Sequence, residues 1–455
     1  MAPLSRGILP WIVAILLIGA AAINPVEFKT SADFDRATQS TGVQTFLKLG
    51  LGAGVAAIAA LALLVSPRTR RVLSSVPAAA LVALGIVFLA TSVFAMAEIR
   101  TISVASALLY MVYLIFLAAA LATLGVRNVV GCLIAGSVLY LVFTLGLYVV
   151  FPERGQFVEY TSDADSVIRM GGTGHPNNIA KTAIATGLAL IAMLVGTAKG
   201  KLAIGMRDPW VRLFCIGSLL LVAIVMVGTM SRTAILAGGA ATAMLLFDRF
   251  YGRGGVVLFV SAVSFVMVAV LAVSLLTGEG PLSESAVGAV TKSGDVEEIT
   301  SLTGRTVIWE EAIGFIAQRP VTGWGLDSAA SVMSKRATGT HNLLLHVSFS
   351  AGLLAAAILA GLLVWSFLFG ALSEHEWIRA VMVYVLVSGL VEDTIFESFP
   401  TTLTMLWMVA LMAPVVETLG SNDSSEVNSS DVDSSRFDTS NIDSPSLAED
   451  AHSGG

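Results

Sequence analysis

Few residues in this sequence can move a proton or hold an anion, and most of them sit at the edges of long apolar runs. His341 and Asn342 open "HNLLLHVSFSAGLLA", so an imidazole and an amide stand at the mouth of a membrane-length segment. Two readings fit the pair. Asn342 can cap a helix by accepting from a backbone N–H that lacks an intrahelical partner, and a neutral His341 can take a proton from a hydroxyl. At about 100° per residue along a helix, Gly352 returns to nearly the face of His341. A glycine there leaves the face open for close helix packing or a lipid chain.

Arginine supplies the complementary chemistry. Ser231 and Arg232 fall in a connector so short that they must stay at the ends of two apolar runs. Arg232 reads either as a snorkelling side chain or as a planar fork for phosphate oxygens. Arg305 stands at the start of an amphipathic stretch, where backbone N–H groups also favour an anion; alone, it reads as a surface charge. Arg169, His175 and Asn177 precede another run. Pro176 suits a first helical position, so for His175 and Asn177 a turn and helix start competes with substrate contact. Glu392 and Asp393 complete the polar set. Asp163 and Asp165 form a D-x-D, too short a match to carry a metal. There is no Walker loop, G-x-G-x-x-G, H-E-x-x-H or paired-cysteine zinc spacing, so soluble nucleotide chemistry and nucleic-acid binding are disfavoured and neither metal nor cofactor is called for.

The elements that must position these groups are membrane helices. Of 455 residues, 56% are hydrophobic and 13% charged, and the mean hydropathy is +0.84. A soluble domain is about one-quarter charged. The fold class is therefore an all-α integral membrane protein. Runs near 8–23, 47–65, 77–96, 103–125, 129–151, 176–197, 211–229, 233–247, 255–277, 341–370, 378–396 and 401–418 predict about twelve transmembrane helices. Connectors 66–76, 198–212 and 248–254 concentrate arginine and lysine and read as cytoplasmic; 24–46, 152–175 and 278–340 are longer, richer in acids and read as outer. Both termini then lie inside. Cys132 and Cys215 fall in apolar runs, so no disulfide framework is available.

Residues 1–418 form the polytopic membrane domain, with the first run read as an uncleaved span. The large outer loop 278–340 carries a helix over 304–318: Ile308, Trp309, Ala312, Ile313 and Ile316 recur at helical spacing. Thr303 can cap it and Pro320 stops it. Such a helix lies on the membrane surface or over a cavity. Residues 419–455 are rich in serine and acids, account for the whole of the chain's net charge of -6, and read as a disordered cytoplasmic tail.

Four stretches in order, "HPNNIA", "SRTAIL", "GRTVIWEEAIGFIAQRPVTGWG" and "HNLLLHVSFSAGLLA", resemble the O-antigen ligase and O-antigen polymerase superfamily over residues 169–355. The resemblance implies a metal-independent, inverting glycosyltransferase of the bacterial inner membrane. Such an enzyme moves a glycan from undecaprenyl diphosphate, on the periplasmic side, to a glycan, lipid A-core or protein acceptor. Arg232 with Leu236 matches the ligases' Arg-x-x-x-Leu element. His341 and Asn342, followed after nine residues by Gly352, match most of the His-Asn…Gly element; Ala355 departs at its last position. The expected catalytic residues are His341, Arg232 and Arg305, and the expected substrate-binding residues are Arg169, His175, Asn177, Ser231, Trp309, Asn342 and Gly352; of these the resemblance itself carries Arg232, His341, Asn342 and Gly352. A flippase or transporter also needs many spans and buried arginines, but its paired broken spans in matching halves find no convincing repeat here.

Overall fold

The computed structural model describes residues 7–27, 43–160, 166–195, 209–251, 305–333, 339–372 and 375–434. Its elements in chain order are α1 (Ile8–Ile23), α2 (Val43–Val65), α3 (Pro67–Leu73), α4 (Val76–Ser92), α5 (Ala97–Val150), α6 (Pro152–Gly155), β1 (Gln156–Tyr160), β2 (Ser166–Met170), α7 (Pro176–Val195), α8 (Pro209–Thr229), α9 (Arg232–Tyr251), α10 (Arg305–Gln318), α11 (Ala329–Val332), α12 (Leu343–Leu372), α13 (Glu376–Gly389) and α14 (Thr402–Ser434).

Helices dominate because lipid offers no partner for a free backbone N–H or C=O, and a helix satisfies both within one segment. Among the described residues, six helices are long and apolar enough to span, or up to seven when α3 and α4, bent by 79°, count as one. The number twelve is not shown. The run at 255–277 lies outside the described residues, and α1 and most of α9 are shorter apolar helices. Helix α5 is about 80 Å long at 1.5 Å per residue, far more than one bilayer core. Gly125, at φ 75°, breaks it near the middle, at the end of the first of the two runs expected there.

The core is a packed seam in which α1, α2, α4 and α14 lie along α5, while α7 packs against α8, α9 and α13. Trp377, Trp407, Tyr113 and Tyr384 are fully buried in it. Outward positions such as Leu64, Val227 and Leu236 stay exposed, as lipid-facing residues do.

Three local departures from the sequence reading shape the site. Residues 156–170 contain a small antiparallel hairpin in which Phe157 pairs with Arg169; residues 161–165, with Asp163 and Asp165, lie outside the described ones. The run expected at 378–396 forms a helix only to Gly389, and 390–401 is irregular. Irregular backbone at this depth persists where protein satisfies it: Ser388 bonds Thr394, Thr394 bonds the Glu392 carbonyl, Thr404 bonds the Ile395 carbonyl and Asn24 bonds the Pro400 carbonyl. Finally, α14 continues past Leu419 to Ser434, so the first part of the segment read as a disordered tail is helical. Extending an existing helix avoids the nucleation cost. Residues 435–455 lie outside the described ones.

The amphipathic helix forms as expected, as α10 over Arg305–Gln318. Ala312 and Ile316 are buried on Phe349 of α12, with Ile308 and Phe315 packed against them. Ile313, expected on the same face, is exposed, and Phe315 takes its place. The Thr303 cap lies outside the described residues.

Candidate active site

Four separate elements bring polar groups to one place. The first is the turn before α12. Asn342 Oδ1 accepts from the Leu345 N–H at 3.0 Å, the geometry of a helix cap, and its Nδ2 donates to the Leu390 carbonyl at 2.9 Å. The cap also ties the start of α12 to the irregular loop after α13. His341, just before it, has a left-handed backbone (φ 47°), a conformation that costs a non-glycine residue about 1–2 kcal/mol. Such outliers mark functional sites when the surroundings hold them.

What holds His341 is Glu392. His341 Nδ1 lies 3.4 Å from Glu392 Oε2, and Arg305 Nη2 donates to Glu392 Oε1 at 2.7 Å. Asn177 Nδ2 donates to the same Oε1 at 3.4 Å, and Arg305 also reaches Thr233 Oγ1 at 3.5 Å. One buried carboxylate thus gathers the histidine before α12, the arginine that opens α10 and the asparagine in the first turn of α7. Burial alone would favour neutral forms of His341 and Glu392. The hydrogen bond between them, with neighbouring charges, outweighs it, raising the His341 pKa above the ordinary histidine value and lowering that of Glu392.

Behind this pair stands a second charged layer. Lys181, buried on α7, lies 3.4 Å from the Asp393 carbonyl and 3.7 Å from Glu397 Oε1. Burial would raise the Asp393 pKa, but Lys181 and the two nearby histidines hold it below the usual carboxylate range. For Glu397 burial wins, pushing its pKa up to about 7 despite Lys181. His346 Nδ1 is 3.7 Å from Asp393 Oδ2 and, though buried, has no hydrogen-bond partner among the described residues. Donor atoms of His341, Glu392 and Asp393 come within 4.8 Å of one another. They are close enough to converge on a cation, although Arg305 and Lys181 already supply positive charge.

Arg169 connects the hairpin to the cluster. Its Nη1 donates to Glu159 at 2.7 Å, its Nη2 to Asn177 Oδ1 at 2.9 Å and its Nε to the Thr229 carbonyl at the end of α8 at 2.7 Å. With all three faces of the guanidinium occupied, Arg169 orients Asn177, which reaches Glu392. His175 acts as a local cap: its Nδ1 accepts from the Asn177 N–H at 3.2 Å, and the ring meets Phe157 edge-on. Burial, with Arg169 nearby, lowers its pKa to about 4, so it stays neutral and its Nδ1 remains an acceptor.

The remaining expected residues divide. Ser231 is buried and, with Thr233, Lys181 and Glu392, lines a cavity of about 10 Å³, room for one water at most. Arg232 begins α9 beside them with its side chain exposed. Trp309 is half-buried in α10, and its indole N–H has no hydrogen-bond partner among the described residues. Gly352 is a correction. It does not share a continuous helical face with His341, because α12 starts at Leu343 and is broken at Gly352 itself (φ 83°). A Cβ there would overlap the Val321 carbonyl, and the Leu353 N–H donates to the Pro320 carbonyl at 2.8 Å. The glycine lets the turn after α10 dock closely onto α12, which is the close packing its small size allows.

The roles of Glu392 and Lys181 emerge only in the packed structure. Glu392 and Asp393 stood out only as acids in an apolar stretch, and Lys181 was hidden inside one, although both are the expensive membrane-depth charges that mark function.

Comparison with curated proteins returns no match. Residues 217–360 match the family model described as O-antigen ligase, a span that includes Arg232, Arg305 and His341 and stops short of Glu392. Over residues 217–360 the chain is therefore similar to the O-antigen ligase family.

Proposed function

We propose that this protein is a membrane glycosyltransferase. It moves a glycan from undecaprenyl diphosphate to a sugar hydroxyl of an acceptor on the periplasmic side of the inner membrane. The observation that carries the reading is the buried Glu392, which holds His341 and Arg305 together in a chain matching the O-antigen ligase family.

In this mechanism Glu392 accepts from His341 Nδ1–H, so the other ring nitrogen, Nε2, carries the free lone pair. That nitrogen takes the proton as the acceptor oxygen bonds to the anomeric carbon. The bond from that carbon to the diphosphate oxygen breaks, and its electron pair leaves on the diphosphate. Glu392 stabilises the imidazolium that forms, the role of the acid in a Ser-His-Asp triad. Arg305, now on Glu392, and Arg232, exposed beside Ser231, bind the diphosphate and offset its growing charge. The charges of Arg305, Lys181 and Arg169 are already faced by carboxylates, so donor binding draws Arg305 from Glu392 towards phosphate. Helix α10 covers the site and excludes water, which would otherwise hydrolyse the donor.

Ala355, where the ligase pattern has glycine, threonine or tyrosine, supports a second reading: the acceptor is another lipid-linked repeat unit and the product a polymer. The test is to incubate purified protein with a synthetic polyprenyl-diphosphate glycan and an acceptor, and to look for a new glycosidic bond. Single addition supports ligation and a ladder supports polymerisation. His341→Ala and Arg232→Ala are expected to fold and to lose transfer; full activity in either overturns its assignment, and transport without bond formation overturns the reaction.

A further inference from the structure

A larger cleft lies away from the candidate active site, and the transfer reaction does not use it. It has a volume of about 280 Å³ and is lined by Arg68, Gly125, Arg127, His375 and Glu417 among others. Glu417 sits about 22 Å along α14 from Thr402, the end that holds the Glu392 loop. The positive-inside reading puts this cleft at the cytoplasmic face.

Its chemistry is that of an anion site. Glu417 Oε2 is already bonded by His375 Nε2 at 2.6 Å. Among the described residues, neither Arg68 nor Arg127 is engaged by a carboxylate or a carbonyl. Two guanidiniums therefore face the cleft against one carboxylate that is itself satisfied. Arg127 is half-buried, which strengthens any charge-assisted bond it makes. The break at Gly125 adds to this: the second half of α5 starts at Val126, so the positive end of its dipole faces the same space. A Cβ at Gly125 would meet nothing within 4 Å. The glycine is needed for its positive φ, and no side chain fills the space beside it. Leu64 and Val65, at the end of α2 just before Arg68, are 78% and 70% exposed, an apolar strip suited to an acyl chain below a headgroup.

We propose that this cleft binds the phosphate group of an anionic phospholipid, held by Arg68 and Arg127. Basic pockets between membrane helices at the cytoplasmic side bind headgroups in this way. The site is independent of the transfer reaction, and neither arginine belongs to the catalytic cluster.

The test compares the full-length protein in detergent with an Arg68→Gln/Arg127→Gln variant by thermal unfolding during titration with phosphatidylglycerol, phosphatidylcholine or inorganic phosphate. Phosphatidylglycerol should raise the unfolding temperature more than phosphatidylcholine does. The variant should need about tenfold more of it, or more, for the same shift. Protection by inorganic phosphate with the same dependence on the arginines supports the site and names a soluble phosphate as its source. Equal phosphatidylglycerol shifts in the two proteins, or no advantage over phosphatidylcholine, overturn the proposal. Arg68 is exposed, so Arg68→Gln alone keeps the test open should the double variant fold poorly. Glycan transfer in lipid-free detergent should match in both proteins, which separates a failed lipid site from a failed reaction.

Discussion

Replacing Glu392 by glutamine tests the central geometry most directly. Glutamine keeps the size of the side chain and an oxygen for Arg305 Nη2, now 2.7 Å from Oε1. Opposite His341 Nδ1, at 3.4 Å, it then presents an NH2 in place of a carboxylate oxygen. Nδ1 must become the acceptor, which moves the ring proton to Nε2 and removes the lone pair that would take the acceptor's proton. The imidazolium also loses its counter-charge. General-base assistance contributes about 10²–10⁴-fold, and the wrong tautomer in a Ser-His-Asp triad costs about 10⁴-fold. The expected loss in kcat is therefore about 10²–10⁴-fold, or roughly 3–5 kcal/mol of barrier. The pH profile gives a second readout. Burial lowers the His341 pKa, but Glu392 and Asp393 outweigh it and raise it. Below that raised pKa the base is protonated, so the rate should fall as pH falls through it. In Glu392→Gln this acid limb should shift to lower pH while the plateau drops. Release of polyprenyl diphosphate from a synthetic donor, measured from pH 5 to 9 with a thermal unfolding control, reads both. A folded variant within about threefold of wild-type kcat, with an unmoved acid limb, would refute the pairing of His341 with Glu392.

Other perturbations separate scaffold from chemistry. Gly352→Ala should destabilise the protein by about 1–3 kcal/mol from backbone strain alone, with more from overlap with the Val321 carbonyl. It should also expose α10 to limited proteolysis; unchanged stability would mean that the turn after α10 is not docked at Gly352. Asn342→Ala should cost about 1 kcal/mol for the lost cap and reduce transfer far less than His341→Ala does, as kinetics on the two purified variants will tell. Chelation tests whether His341, Glu392 and Asp393, within 4.8 Å of one another, act as metal ligands: transfer should be unchanged after EDTA, and loss restored by a divalent cation would replace the proton-transfer role by a metal site.

The architecture was legible in the sequence wherever physics acts on one segment at a time. Lipid demands helices, so apolar runs of about 20 residues mark them; a period of 3.6 places α10 at Arg305–Gln318, and an asparagine before an apolar run marks a cap. Breaks were harder to read. Gly125 stood at the end of one run, close to the boundary expected between two spans, whereas Gly352 sat inside one and its left-handed backbone did not show. Helical spacing across it therefore gave a false face.

His341, Asn342, Arg305 and Arg232 could be singled out from residue type and position, and their order carries the family resemblance. What only the tertiary structure decided is which charges meet. Glu392 lies 51 residues from His341 and 87 from Arg305 in the chain, and no local pattern encodes the loop after α13 that brings it to them. In a membrane the cost of an unpaired buried charge fixes such partners, but that cost is felt only once helices distant in sequence have packed side by side.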